Sequence, residues 1–217
     1  MKSAVAGRKG ADLGRLVIVP GAAVMLTLDV IALSHGTLGG QAGALRWLVT
    51  GLVCVFYLLV IWCYLRRGQA TATSGSLTAH AAAMVATMIT LAFPLLPASP
   101  PGSAALIASD VLLVAGTGWS VWALRSLGRN LSVLAQARGL ADRGPYRWVR
   151  HPLYTGELVS AVGLAIAVGT LAAAVTWVIL CVLQGYRAIR EERVLMRALP
   201  GYPGYRSRTA AMLPGIF

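Results

Sequence analysis

Glu157, Glu191 and Glu192 are the only glutamates in this 217-residue chain. Each stands among arginines, tyrosines or a histidine in one of two short blocks. The first block, LGRNLSVLAQARGLADRGPYRWVRHPLYTGE, ends on Glu157, and the second, YRAIREERVL, holds the other two. Arg187 and Glu191 are four apart, so on a helix they share a face and can pair there. In the first block, Gly144-Pro145 and His151-Pro152 each push the residue before proline toward extended or turn backbone. Such a stretch exposes peptide N–H and C=O groups, and at a membrane edge these need a protein cavity or a polar ligand as partner. The chemistry on offer is recognition of a polar ligand. The plainer alternatives are a solvated basic loop and a solvated, ion-paired helix.

The elements that must position these blocks are membrane helices. Hydrophobic residues make up 57% of the chain and charged ones only 12%, with a mean hydropathy of +0.71. Soluble domains carry about 25% charged residues. Four runs have the length and apolarity of a transmembrane helix: about 16–33, 47–65, 79–96 and 104–124. The first follows a basic arm and imitates a signal peptide, but its apolar run is too long and no small-residue cleavage site follows. It is expected to be a retained helix. The fold class expected is therefore all-α: a polytopic integral membrane protein with four transmembrane helices, a C-terminal membrane helical hairpin and a cytoplasmic amphipathic tail helix.

The hairpin is inferred from charge. Residues 153–183 would make a single helix of about 46 Å at 1.5 Å per residue, against a hydrocarbon core of about 30 Å. Gly169-Thr170 offers a break near the middle, giving two legs of roughly 14 residues. With the N-terminus inside and 153–183 folded back, eighteen lysines and arginines lie on the cytoplasmic side and only Arg46 outside. A single crossing would send the last six arginines outward, against the positive-inside rule. Both termini are then cytoplasmic, and 125–152 and 184–217 share one face. The tail 184–206 reads as an amphipathic helix, with Ile189, Val194, Leu195 and Leu199 as its apolar stripe, stopped by Pro200-Gly201. Two portions follow: 1–124 as scaffold and possible acceptor side, and 125–217 as the chemical core.

Cys54, Cys63 and Cys181 lie inside apolar runs without metal-ligand or disulfide spacing, so they read as packing residues and no metal is expected. The net charge of +12 does not point to nucleic acid, because the basic residues flank apolar spans and form no aromatic-interleaved surface. Arginine outnumbers lysine 17 to 2, a bias of GC-rich bacterial genomes, which makes a bacterial cytoplasmic membrane the expected location. Asp29 and Asp110 are intramembrane acids, either functional or bonded between helices. His80 reads as interfacial.

GPYRWVRHPLYTGE, a hydrophobic hairpin, then R…EE..L and GYPGYRSR…LP together resemble the isoprenylcysteine carboxyl methyltransferase family and the related phospholipid N-methyltransferases. The resemblance covers about residues 125–217. It implies S-adenosylmethionine as methyl donor, held at the cytoplasmic edge of the last helices. Tyr146, Arg150, His151, Pro152, Tyr154, Gly156 and Glu157 would line the cofactor pocket, joined by Tyr202 and Tyr205 as the family's Y..Y element. Arg187 with Glu191 or Glu192 resembles its essential tail pair. LPGYPGY is one residue tighter than the spacing common before the first tyrosine.

The donor's chemistry agrees with these residue types. A glutamate accepts both ribose hydroxyls or pairs with the ammonium, and an arginine forks the carboxylate. A Rossmann-type methyltransferase would show a glycine-rich turn after a strand, and GTG at 116–118 lies instead in mid-span, where it packs. A carboxylate or thiolate acceptor needs no general base, whereas an ammonium must first lose a proton; His151 is then either that base or a pocket wall. The acceptor expected is a lipophilic small molecule or lipid. The rival readings are a sterol-reductase-like enzyme using NADPH and a non-enzymatic transporter. Binding of donor against NADPH separates the first, and polar residues lining the central spans would mark the second.

Overall fold

A computed structural model of the chain describes residues 13–34, 43–68, 72–73, 76–99, 101–131, 136–137 and 139–212. Lys2, Arg8 and Lys9 of the basic arm, Arg138, and Leu213-Pro214 of the tail motif lie outside the described residues, as do both chain ends. The helices are α1 (Leu13–Ser34), α2 (Gly43–Arg66), α3 (Leu77–Ala92), α4 (Ser103–Leu127), α5 (Pro152–Val168), α6 (Leu171–Ala198) and α7 (Tyr202–Arg206). Among the described residues three stretches, Trp47–Arg66, Ser103–Asn130 and Leu171–Ala198, are long and apolar enough to cross a membrane, and α3 and α5 are shorter apolar helices. Apart from one two-residue strand pair, the regular structure of the described residues is helical, and the chain is an integral membrane protein.

The expected break at Gly169-Thr170 is present. Gly169 takes the left-handed conformation (φ 70°) and returns its N–H to the Ala165 carbonyl, closing α5, while the Thr170 side chain accepts from Ala173 N and opens α6. This is the ordinary pairing of a C-terminal glycine with a hydroxyl N-cap. The two legs differ in length from the expectation. α5 has 17 residues and α6 has 28, so the second leg and the amphipathic tail are one continuous helix. No proline or glycine pair interrupts 183–187; of the expected apolar stripe Val194, Leu195 and Leu199 are half-buried, whereas Ile189 falls on the outer side of the helix and is exposed. The helix ends at Ala198, before Pro200, as the sequence indicated.

Among the described residues the most extensive helix–helix contact is α4 against α5, made possible by small residues. A Cβ on Gly116 would fall 2.5 Å from the Ser160 backbone nitrogen, and one on Gly163 would fall 2.7 Å from the Ser109 carbonyl. Ser109 donates to the Gly163 carbonyl at 2.7 Å. Close packing of small residues with interhelical hydrogen bonds replaces the hydrophobic drive that lipid removes, and Gly116 has the packing role expected of it. Beneath the hairpin, Phe93, Ala161, Ala173 and Leu180 form one buried cluster; Cys63, Tyr64, Leu124 and Leu131 form another. Cys63 is a core residue, and Cys54 and Cys181 are free and half-buried.

Three segments meet at one end of the bundle. Ala72–Thr73, after α2, pairs antiparallel with Gln136–Ala137, after α4. Arg129, just beyond α4, donates to the Arg66 carbonyl at 2.9 Å, and Val149 bridges to Ala210. Asp110 is buried on α4 with Oδ2 lacking a hydrogen-bond partner among the described residues. It stands about 25 Å along the helix from Leu127 at 1.5 Å per residue, far from this end. Asp29 is half-buried on α1, about 21 Å by the same rise from Arg15, which donates to the Tyr64 carbonyl.

Candidate cofactor site

The proline that opens α5 sets the site. Pro152 occupies the first helical turn, where its missing N–H costs nothing, and His151 before it is held at φ −123° and ψ 55°. This backbone runs beside the tail: Arg150 N donates to Ala210 O at 2.8 Å, His151 N to Ala211 O at 3.0 Å, and Ala210 N to Trp148 O at 3.1 Å. Thr155 Oγ1 adds a bond to Met212 O. The exposed peptide groups expected near His151-Pro152 thus find their partners in residues 210–212, while those near Gly144-Pro145 pair within residues 143–149 and with Tyr205. Those residues carried no motif, and Thr209, wholly buried, had only its polarity to mark it.

Glu192 is the hub of this docking. Its Oε1 accepts from Arg150 Nε at 2.7 Å and lies 3.2 Å from His151 Nε2, while Oε2 lies 3.3 Å from Arg206 Nε. Arg150 also donates to the carbonyls of Arg206 and Thr209. Glu191, the next residue, points elsewhere. Its Oε2 accepts from Tyr154 OH at 2.8 Å and lies 3.9 Å from His151 Nδ1. The His151 and Tyr154 rings are stacked 3° from parallel at 5.3 Å, and the Arg187 guanidinium sits 4.7 Å over the other ring of that stack, Tyr154. One turn deeper, Arg187 Nη1 donates to Gln184 Oε1 at 2.9 Å, and Gln184 Nε2 donates to Glu157 Oε2 at 2.5 Å.

These groups border a small cavity that opens to the surface. Of the residues expected from the sequence, Tyr146, Arg150, His151, Glu191, Tyr202 and Tyr205 line it. Tyr154, Glu157, Arg187 and Glu192 stand behind as its supporting network, Pro152 is buried at the start of α5 and does not line it, and Gly156 is packed on α4, where a Cβ would meet Ser120 Oγ. Sequence reasoning missed Leu127, Asn130, Leu140, Ala141 and Leu195 in the wall. Leu127 and Leu195 carried the signal of apolar residues bordering the polar blocks.

The tyrosines are fixed as neutral donors. Burial pushes the Tyr205 phenol up to about 12, and Tyr202 and Tyr146 are raised for the same reason, with nearby glutamates adding to the effect. Tyr205 donates to the Tyr146 carbonyl at 2.7 Å. Tyr202, 1% exposed, has a hydroxyl with no hydrogen-bond partner among the described residues. A buried donor left unmet costs about 1–3 kcal/mol, so this hydroxyl at the cavity wall suits a ligand acceptor.

Residues 104–200 match the family model described as phospholipid methyltransferase. The cobalt-zinc-cadmium resistance protein CzcN of Cupriavidus metallidurans is 35% identical over 78 residues, 36% of each chain, so the similarity spans about a third of that relative's length. A structure of the eukaryotic intramembrane Ras methyltransferase ICMT (isoprenylcysteine carboxyl methyltransferase) superposes over 93% of this chain and 96% of its own, at 15% identity and a TM-score of 0.45. The family match takes in α4, the His151-Pro152 loop, the α5–α6 hairpin and the paired glutamates. Over those residues this integral membrane protein is similar to the phospholipid methyltransferase family.

Proposed function

We propose that the protein is an S-adenosylmethionine-dependent methyltransferase acting on a lipophilic acceptor at the cytoplasmic membrane face. The observation that carries this reading is one cavity bordered by both motif blocks, with the Glu191 carboxylate and the unmet Tyr202 hydroxyl in its wall. S-adenosylmethionine would supply a methyl group on a sulfonium, for which placement of donor and acceptor in line provides much of the rate. Glu191 and Tyr202 hold the donor's polar groups, and Leu127, Leu140 and Leu195 cover its apolar faces. Arg150, already paired, orients the wall. His151 faces Glu191 and Glu192 through its two ring nitrogens, an arrangement that favours shaping the wall over carrying a proton for the acceptor. Calorimetric titration of purified protein should show binding of S-adenosylmethionine and none of NADPH. Labelled donor with a membrane lipid extract in liposomes should then give labelled lipid. Binding of NADPH alone, or methylation confined to water-soluble acceptors, would refute the reading.

The proposed topology has α1 to α4 crossing the bilayer, α5 and the first half of α6 as a hairpin, and both termini cytoplasmic. Residues 1–124 serve as scaffold and acceptor side and 125–217 as the chemical core, although the family match starts earlier, at 104, and so includes α4. The pairings of 72–73 with 136–137 and of Val149 with Ala210 support one shared end. Single cysteines at positions 2, 70, 140 and 210 should all label from the cytoplasmic side. Labelling of 210 from the opposite side would remove the hairpin topology.

A further inference from the structure

We propose that Gln184 is a positioning residue for the donor site, a role that rests on the function proposed above. Gln184 lies on α6 at the depth where the α5–α6 seam changes from polar to apolar. Above it are Arg187 and Glu191; beside and below it Leu158, Leu180 and Leu183 belong to the hydrophobic cluster. Its side chain is 1% exposed, and both ends of its carboxamide are committed. The amide nitrogen donates to Glu157 and the oxygen accepts from Arg187.

The two neighbours carry opposite charges, so only one orientation of the amide satisfies both, since a carboxylate only accepts and a guanidinium only donates. That orientation ties the Arg187 guanidinium to α5, over the ring of Tyr154. Tyr154 in turn donates to Glu191 in the cavity wall. A relay of four contacts therefore runs from Glu157 through Gln184, Arg187 and Tyr154 to the carboxylate that meets the donor. A glutamine kept only to fill space would be replaceable by leucine without effect on the cavity above.

The experiment compares donor binding by calorimetry in wild type, Gln184→Leu and Gln184→Glu at pH 6 and pH 8.5, with folding checked by thermal unfolding. The charged and titratable groups around the position are Glu157 and Tyr154 on α5, His151 just before it, Arg187 and Glu191 on α6, and Tyr64 on α2. Affinities are therefore read as ratios to wild type at each pH. Gln184→Leu should lose about 10- to 100-fold at both, the range for a hydrogen bond to a charged group. In Gln184→Glu, a protonated carboxyl reproduces the amide, donating to Glu157 and accepting from Arg187. The ionised form sets two carboxylates against each other and draws Arg187 away from Tyr154. This variant should bind within about threefold of wild type at pH 6 and fall by at least about tenfold at pH 8.5. Wild-type affinity in Gln184→Leu, or a Gln184→Glu ratio that does not change with pH, overturns the positioning role. Should wild type itself fail to bind the donor, the proposed function falls with it, and the two failures are told apart by that one titration.

Discussion

Glu191→Gln should weaken S-adenosylmethionine binding by about 30- to several-thousand-fold while leaving the protein folded. Removing one charged partner of a buried ligand contact costs about 2–5 kcal/mol, and each 1.4 kcal/mol is tenfold. Glu191 is the glutamate that borders the cavity, whereas its neighbour is occupied by two arginines. The isosteric amide keeps an acceptor for Tyr154 and removes only the charge, so unfolding should not obscure the result. Arg193→Ala is the control: Arg193 is exposed on α6 and outside the cavity wall. Titration of the purified variants decides the matter, and wild-type affinity in Glu191→Gln would place the donor elsewhere.

Arg150→Ala should act on stability first. The guanidinium and the Glu192 carboxylate have only 5% and 14% side-chain exposure, and removing the guanidinium leaves Glu192 only His151 and the exposed Arg206, at a cost of about 3 kcal/mol, the lower end for a broken desolvated pair. The loss is local, because Arg150 also carries the carbonyls of Arg206 and Thr209. The segment after α6 should come free before the bundle melts. Thermal unfolding in detergent should shift downward, and brief proteolysis should nick the chain after Leu199 in the variant and not in wild type. Arg150→Lys keeps the charge but loses the fork, and should fall between. A tail as resistant as that of wild type would show that the pair does not hold it.

The two blocks and their meeting were legible because each rests on a local signal: proline and glycine for backbone direction, charge for sidedness, and four-residue spacing for a shared face. Gly169-Thr170 was legible for the same reason. The division of labour between Glu191 and Glu192 was not, since adjacent residues on a helix diverge by about 100° and only the position of the tail decides which faces the cavity. The continuity of α6 was missed because an apolar leg and an amphipathic tail differ in composition but not in backbone preference. Leu140 and Ala141 in the cavity wall come from a connecting stretch with no periodicity. Tyr202's unmet hydroxyl follows from burial that a sequence does not carry.

That continuity gives the molecule a gearing. α6 runs without a joint from the exposed Val182 to Glu191 and Leu195 in the cavity wall. Any rotation of the helix at its hydrocarbon end is delivered undiminished to the carboxylate above. One residue inserted between Leu183 and Arg187 would turn Glu191 by about 100° out of register with Tyr154. The same residue inserted at the Gly169-Thr170 turn would be absorbed there. Length is therefore free at the far end of the hairpin and locked along its shaft, and the bilayer-embedded part of α6 sets the angular zero of the site.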